Sequence, residues 1–240
     1  MVIDSTLSDN GAFVKCYNNC TAAGGGIYNS GTAMVIGSTL SGNKVSAVLT
    51  MQGIGAATGG GIFNTGTLTI SNSTINGNST FLHCKGFCIE AAGGVLNGST
   101  VTINNSTFSG NSSGHLGGGI FSDGTTTLQN SIVANSPSGG NCSGTMTSSG
   151  YNLSSDNTCN FNNTGDLNNT DPKLGQLGNY GGPTQTIPLL TGSPAIDAGN
   201  PSGCTDGRGH LLKTDQRGKP RPDHEDTGGC DMGAYERQKD

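Results

Sequence analysis

One short segment recurs four times along this chain, and this recurrence limits the fold more than any other feature. The copies begin at Gly24, Gly59, Ala92 and Gly117, which are 35, 33 and 25 residues apart. Each copy is too short to bury an apolar face alone, so neighbouring copies must stack and share one core. The shortest spacing matches one turn of a three-sided β-solenoid, and the longer spacings indicate insertions into the same turn. The copies read GGGIYNSGTAMVIGSTLSGN, GGGIFNTGTLTISNSTINGN, AGGVLNGSTVTINNSTFSGN and GGGIFSDGTTTLQNSIVAN.

Apolar and polar residues alternate within each copy with the period of a β-strand, which places the apolar positions inside. The column of Asn72, Asn105 and Asn130 predicts an internal asparagine ladder, in which the amides of successive coils bond to each other. We therefore predict an all-β fold, a right-handed parallel β-helix with a loop-rich, disulfide-bonded C-terminal cap. The predicted inward columns are Ala33/Leu68/Val101, Val35/Ile70/Ile103, Ile27/Ile62/Val95/Ile120 and Leu40/Ile75/Phe108/Val133.

The composition agrees with a repeat protein and excludes several other classes. With 42 Gly, no Trp and 11% charged residues, the chain resembles neither an ordinary globular domain nor a charged disordered one. Its net charge of −5 and the lack of a basic stripe argue against nucleic acid as a partner. No apolar run reaches the roughly 20 residues that a membrane-spanning helix needs. The eight cysteines, an even number, indicate an oxidising compartment, so we expect a secreted or cell-surface protein.

The two ends of the chain differ in character. Its first residues lack the basic and apolar regions of a signal peptide and already belong to a truncated copy, VIDSTLSDN, so we expect a leader and earlier coils to precede them. An open coil end is a free sheet edge, which offers a surface for self-association.

Most of the charged residues lie beyond Gly150. We predict N-terminally truncated β-helix repeats over 1–140 and a capping region over 141–240.

Two inserted loops, which begin at Asn10 and Asn78, occupy the same place in the repeat and each carry a Cys-x₃-Cys motif; the loop between them, from Lys44, has no cysteine. Functional residues of solenoids usually lie on such protrusions. We predict that their exposed side chains contact a ligand, an extracellular polysaccharide or a cell-surface component. The alternative is that these side chains only pack the segments onto the coil. The candidates are Phe13, Tyr17, Phe81, His83 and Phe87.

The cysteines fall into pairs that predict four disulfides, whereas metal sites are the weaker alternative. A zinc site at His83, Cys84 and Cys88 would lack a clear fourth ligand. A calcium site is the alternative to a purely structural role for the C-terminal acidic residues; otherwise we expect no metal or cofactor. The predicted disulfides are Cys16–Cys20, Cys84–Cys88, Cys142–Cys159 and Cys204–Cys230, and the candidate calcium ligands are Asp206, Asp223, Asp226 and Asp231.

A threonine array is the most regular exposed feature of the repeats. The array resembles the Thr-x-Thr ladders of ice-binding β-solenoid proteins, in which hydroxyl groups form a flat, regular surface. The alternative is that threonine merely suits an exposed strand position. Met34 interrupts the array in the preceding repeat. The array consists of Thr67, Thr69, Thr100, Thr102, Thr125 and Thr127.

Catalytic β-helix proteins, such as pectate lyases and polygalacturonases, gather acids, bases or calcium in one groove. The acidic residues of the repeats, Asp4, Asp9, Glu90 and Asp123, instead occupy different columns. A non-catalytic structural or adhesive module is therefore favoured, and a polysaccharide lyase or glycoside hydrolase is the alternative. The charged residues of the last hundred positions favour an ion-pair network that holds the region together. Its predicted members are Asp197, Asp215, Arg217, Arg221, Asp231 and Glu236.

Three strings in the C-terminal region are specific: GSPAIDAG, TDQRGKPRP and CDMGAYE. Together with NLSSDNTC and DPKLGQLGNYGGPTQT they resemble the C-terminal region of bacterial secreted β-helix proteins of the choice-of-anchor Q type. The GGGI repeats are similar to polymorphic outer-membrane-protein repeats, so the resemblance covers nearly the whole chain. It implies a secreted or surface-attached bacterial protein and supplies no catalytic residues.

Overall fold

The main body of the molecule is a parallel β-solenoid, seen in a computed structural model that describes residues 1–206, 209–224 and 229–238. Three parallel sheets form its sides, which we call the first, second and third side in the order in which each turn visits them. Over these described ranges there is no helix, and hence none that could span a membrane. The predicted all-β, three-sided solenoid is confirmed.

The strands are short because each turn of the chain must bend at three corners. The first side contains β5 (Ile27–Asn29), β10 (Ile62–Asn64), β15 (Val95–Asn97), β18 (Ile120–Ser122) and β21 (Cys142–Gly144). The second side contains β1 (Val2–Ile3), β6 (Thr32–Ile36), β11 (Thr67–Ser71), β16 (Thr100–Asn104), β19 (Thr125–Gln129) and β22 (Thr147–Ser148). The third side contains β2 (Thr6–Ser8), β7 (Thr39–Ser41), β12 (Thr74–Asn76), β17 (Thr107–Ser109), β20 (Ile132–Ala134) and β23 (Leu153–Ser154).

The core is a set of apolar columns that run along the solenoid axis. Ile62 pairs with Val95 on the first side, and Ile75 pairs with Phe108 on the third, in the register that the repeat alignment predicts. All four predicted columns are confirmed by strand pairing. Phe108 is fully buried, and each such side chain contributes about 1.5–3 kcal/mol to folding.

The predicted asparagine ladder of Asn72, Asn105 and Asn130 is wrong as a continuous ladder. These residues have φ of 52°, 46° and 51°, a left-handed conformation that turns their side chains away from the coil. Only Asn130 donates to the preceding member, Asn105, at 2.8 Å, whereas Asn72 donates to the carbonyl of Thr214 in the C-terminal region. Continuous ladders form in two other columns, Asn29/Asn64/Asn97 and Asn10/Asn43/Asn78/Asn111.

The inserted segments are not loops but pairs of strands that leave the third side and return to the first. Equivalent strands of three turns stack in parallel and form two three-stranded sheets, which together we call the arm. Small side chains, including Ala22, Val45, Ala47 and Ala57, pack between these sheets. The front arm sheet contains β3 (Gly11–Cys16), β8 (Lys44–Leu49) and β13 (Ser79–His83); the back arm sheet contains β4 (Cys20–Ala23), β9 (Ile54–Thr58) and β14 (Phe87–Ala91).

The C-terminal region covers the end of the solenoid and then runs back along its third side. Strands β21, β22 and β23 still extend the three sheets, so the stacking continues past residue 140. Phe161 then packs on the last coil as part of the main core, beside the Cys142–Cys159 disulfide. The described residues from 184 to 238, which we call the strap, lie outside the third side and are closed by the Cys204–Cys230 disulfide.

The strap bonds to one coil after another. Gln216 donates to the hydroxyl of Thr39 at 2.9 Å and accepts from Thr74 at 2.6 Å. The amide of Ala234 donates to the hydroxyl of Thr107 at 3.0 Å. A second apolar cluster joins the strap to the last coils. The threonines of the third side that bond to the strap, Thr39, Thr74 and Thr107, are buried.

Candidate functional site

The arm carries all five candidate binding residues, but it does not place them on one face. Phe13, Phe81 and His83 lie on the outer face of the front arm sheet. Phe87 belongs to the back arm sheet, and the highly exposed Tyr17 lies at the tip between β3 and β4. The two arm sheets point their outer faces in opposite directions because their inner faces pack on each other. The structure therefore brings three candidates together and separates two.

The two phenylalanines of the front arm sheet form the most distinctive local geometry. Phe13 and Phe81 both pair in register with Ser46, which lies on the strand between theirs. Their side chains are 69% and 48% exposed, so both rings flank the small serine in solvent. Strands are ~4.8 Å apart, which makes the gap between the rings about two strand spacings wide. A shallow pocket on the Phe13 side of Ser46 is lined by Gly11, Ala12, Phe13, Lys44 and Ser46.

Lys44 lies beside this pair. Its ammonium nitrogen is 5.8 Å from the centroid of the Phe81 ring, within the range of a cation–π contact. Lys15 and His83 occupy the outward positions one step further toward the tip, where both pair with Val48. The face therefore combines exposed aromatic rings with cationic groups.

The inner residues of the arm hold this face in position. Glu90, which is buried at the last rung, accepts from the hydroxyl of Thr80 at 3.3 Å and from the amide of Gly114 at 2.9 Å. At the tip of the arm, a Cβ on Gly53 would lie 2.7 Å from the carbonyl carbon of Asn18 in the neighbouring turn. Only glycine therefore lets the tips of these two turns stack closely. The arm is therefore an ordered, two-layer protrusion.

The cysteines form the four predicted disulfides. Two of these bonds, Cys16–Cys20 and Cys84–Cys88, close the outer tips of the arm. The zinc alternative at His83 is corrected by this pairing, because both of its cysteines are in a disulfide and have no thiolate to offer a metal. The other bonds are Cys142–Cys159 and Cys204–Cys230.

The candidate calcium ligands that the structure describes, Asp206, Asp223 and Asp231, do not form a metal-binding group. Asp206 contacts the imidazole of His210 at 3.0 Å, and the buried Asp231 accepts from the amides of Asp197 and Arg237. Asp226 lies outside the described residues. Within the part of the chain that the structure describes, no group of three or more potential ligands could hold a metal ion.

The threonine array lies on the outer face of the second side and is longer than the sequence predicts. Thr67, Thr100 and Thr125 pair in one column, which Thr32 extends at the N-terminal end. The neighbouring column passes through Met34 and ends at Thr147. The column that contains Thr67 is exposed to solvent. The column that passes through Met34 is half-buried, except for Thr147 at its end, which is exposed. The second column contains Thr69, Thr102, Thr127 and Thr147.

The acidic residues of the solenoid are dispersed in the structure as well. Asp4 and Asp9 adopt positive φ at turns, where their carboxylates approach Gly37 and Gly42. Glu90 is buried inside the arm, and Asp123 follows β18 at the corner between the first and second sides. These carboxylates thus belong to different parts of the fold.

Two ion pairs of the predicted network form within the strap, whereas, among the described residues, its predicted member Asp197 takes part only through its backbone amide, which donates to Asp231. Arg217 pairs with Asp215 at 2.6 Å and lies over the ring of Tyr235, and Arg221 pairs with Glu236 at 2.7 Å. Burial, together with the nearby charge of Glu236, raises the pKa of Asp231 from 3.8 to about 7. Burial likewise raises the pKa of Glu236 against the opposing effect of Arg221. Protonation of these carboxyl groups is therefore coupled to folding of the strap.

Comparison of the chain with protein-family models, with curated proteins and with solved structures gave no match.

Proposed function

We propose that this chain is a non-catalytic, secreted or surface-attached bacterial β-solenoid protein with a C-terminal region of the choice-of-anchor Q type. The C-terminal strings GSPAIDAG, TDQRGKPRP and CDMGAYE support the family. The four disulfides support an oxidising location outside the cell. In this proposal the solenoid is a stiff support, and the arm makes the adhesive contact with a polysaccharide or another surface component.

The observation that carries the binding role is the pair of exposed rings, Phe13 and Phe81, held on one face with Ser46 between them. Large aromatic side chains that remain in solvent on an ordered sheet are typical of contact surfaces. A pyranose ring presents an apolar C–H face that stacks on such a ring, and a sugar that enters this gap can contact both. The alternative, a lyase or glycoside hydrolase, is less well supported because the solenoid carboxylates do not converge.

Binding of the whole chain to polysaccharides tests the proposal. The probes are insoluble cellulose and chitin in sedimentation assays, and soluble xylan, dextran and polygalacturonate in titrations. We expect saturable binding of at least one probe, which Phe13→Ala weakens about tenfold, a loss of ~1.4 kcal/mol. Phe87→Ala is the matched control, since Phe87 is 67% exposed on the same arm but belongs to the opposite sheet.

The proposal is wrong if none of these polysaccharides binds, or if both variants lose affinity equally. Release of shortened products during the assay would instead establish the enzymatic alternative.

A second candidate function, ice binding, is supported by the two threonine columns of the second side. Equivalent hydroxyls repeat at ~4.8 Å between coils and ~6.7 Å along a strand, which makes a regular surface. On this reading, the chain produces thermal hysteresis in a nanolitre osmometer, and Thr102→Lys in the middle of the array abolishes it. Thr21→Lys, at an exposed position of the back arm sheet, is the control. Freezing without hysteresis at millimolar protein excludes this function.

A further inference from the structure

The positive charge of the solenoid is concentrated on the arm. The chain has a net charge of −5, and its first basic residue beyond the arm is Lys173. Before that position the only Lys or Arg residues are Lys15, Lys44 and Lys85. Lys15 lies on β3 and Lys44 on β8, both exposed on the front arm sheet, and the exposed Lys85 follows β13 at the tip.

Lys15 and Lys44 share a face with the two phenylalanines. Side chains of a strand alternate between faces, and the residues that pack inside the arm, such as Val14 and Val45, fix which set points out. Lys15 is two residues beyond Phe13 on β3, and Lys44 is two residues before Ser46 on β8. No outward position of the front arm sheet carries an acidic residue; the nine positions are Gly11, Phe13, Lys15, Lys44, Ser46, Val48, Ser79, Phe81 and His83.

We propose that the ligand of the front arm sheet is an anionic polysaccharide, one whose sugar rings carry carboxylate or sulfate groups. This inference rests on the proposed binding function and names its ligand class. The rings of Phe13 and Phe81 contact the sugar faces, and the ammonium groups of Lys15 and Lys44 lie on either side to pair with the acidic substituents. Lysine is a flexible point charge, so its contacts with a polyanion depend strongly on salt.

Matched pairs of polymers test this inference on the full chain. Polygalacturonate is compared with its methyl-esterified form, and dextran sulfate with dextran, by isothermal titration calorimetry. We expect at least one charged polymer to bind at least tenfold more tightly than its neutral counterpart, and to weaken as NaCl rises from about 0.05 to about 0.5 M. Preference within the first pair identifies carboxylate as the recognised group, and preference within the second identifies sulfate.

Two double variants assign the effect to the arm. Lys15→Gln with Lys44→Gln is expected to weaken binding of the charged polymer at least tenfold while leaving the melting temperature unchanged. Lys213→Gln with Lys219→Gln removes the same charge from exposed positions of the strap and is expected to retain affinity. Equal losses in the two double variants would overturn the assignment to the front arm sheet.

The remaining outcomes separate this inference from the proposed function. Binding of neutral and charged members with equal affinity overturns the inference and retains polysaccharide binding. Failure of every polymer to bind overturns both. Inorganic polyphosphate, which has no sugar ring, is expected to bind weakly; affinity equal to that for the preferred glycan would show that charge alone is recognised and would overturn the role of the two rings.

Discussion

Replacing Arg221 by alanine is expected to lower the free energy of unfolding by about 3–5 kcal/mol, the range for breaking a buried ion pair. The Arg221 and Glu236 side chains are both fully buried. Removal of the guanidinium leaves the Glu236 carboxylate without its counter-ion, next to the carboxyl group of Asp231. Thermal and urea unfolding, followed by circular dichroism, measure the loss.

Two further variants distinguish a lost charge partner from a lost side chain. Lys213→Ala removes an exposed cation of the strap and is expected to leave the melting temperature unchanged. Arg221→Met combined with Glu236→Gln removes both charges and is expected to recover much of the lost stability, since neither member of the pair is then buried and charged without the other. A melting temperature of Arg221→Ala equal to that of the unmodified chain would contradict the role assigned to this pair.

Stability is expected to fall as the pH rises from 5 to 8, opposite to the trend for an ordinary salt-bridged carboxylate. The pKa of Asp231 is raised in the folded chain to about 7, above its value in an unfolded chain. Such a group contributes stability that is complete below the unfolded pKa and is lost as the pH rises through the folded one. The raised pKa of Glu236 acts in the same direction.

Melting temperatures at several pH values between 5 and 8 check this expectation. Asp156, whose several hydrogen bonds lower its pKa despite partial burial, has the opposite effect but only at more acidic pH, so this window isolates the strap. Asp231→Asn cannot ionise, and its melting temperature is expected to vary less over the window. A melting temperature that rises toward pH 8 in the unmodified chain would contradict the assignment.

The core of the solenoid could be predicted because its residues follow both the two-residue period of a strand and the spacing of the repeats. Ile62, Val95 and Ile120 follow the two-residue period of a strand and also recur at the repeat spacing, so alignment alone gives their register. The arm strands have only the first of these signals. Gly-Ala-Phe-Val-Lys-Cys and Lys-Val-Ser-Ala-Val-Leu alternate as strands do, but the shortest repeat has no counterpart to them. The sequence therefore predicts loops at these positions.

The candidate site depends on neighbours that the linear order does not show. Phe13 and Phe81 come from different turns, and only the pairing of both with Ser46 places them on one face with Lys44. The sequence predicts the asparagine ladder in the wrong columns for a related reason. Asn72 lies at a corner with positive φ, where its amide meets the strap rather than the next asparagine. The strap has no repeat, and nothing in its composition specifies its path.

The strap joins parts of the fold that lie far apart in the sequence. Gln216 bonds to Thr39 across 177 residues, whereas the repeats bond mainly to their immediate neighbours. A solenoid held only by neighbouring coils can unfold from one end coil by coil. The strap bonds to several coils and so joins them into one cooperative unit. Its contacts link residues far apart in the sequence, so they are expected to form late and slowly during folding. During synthesis the third side must therefore remain uncovered until the strap has been made.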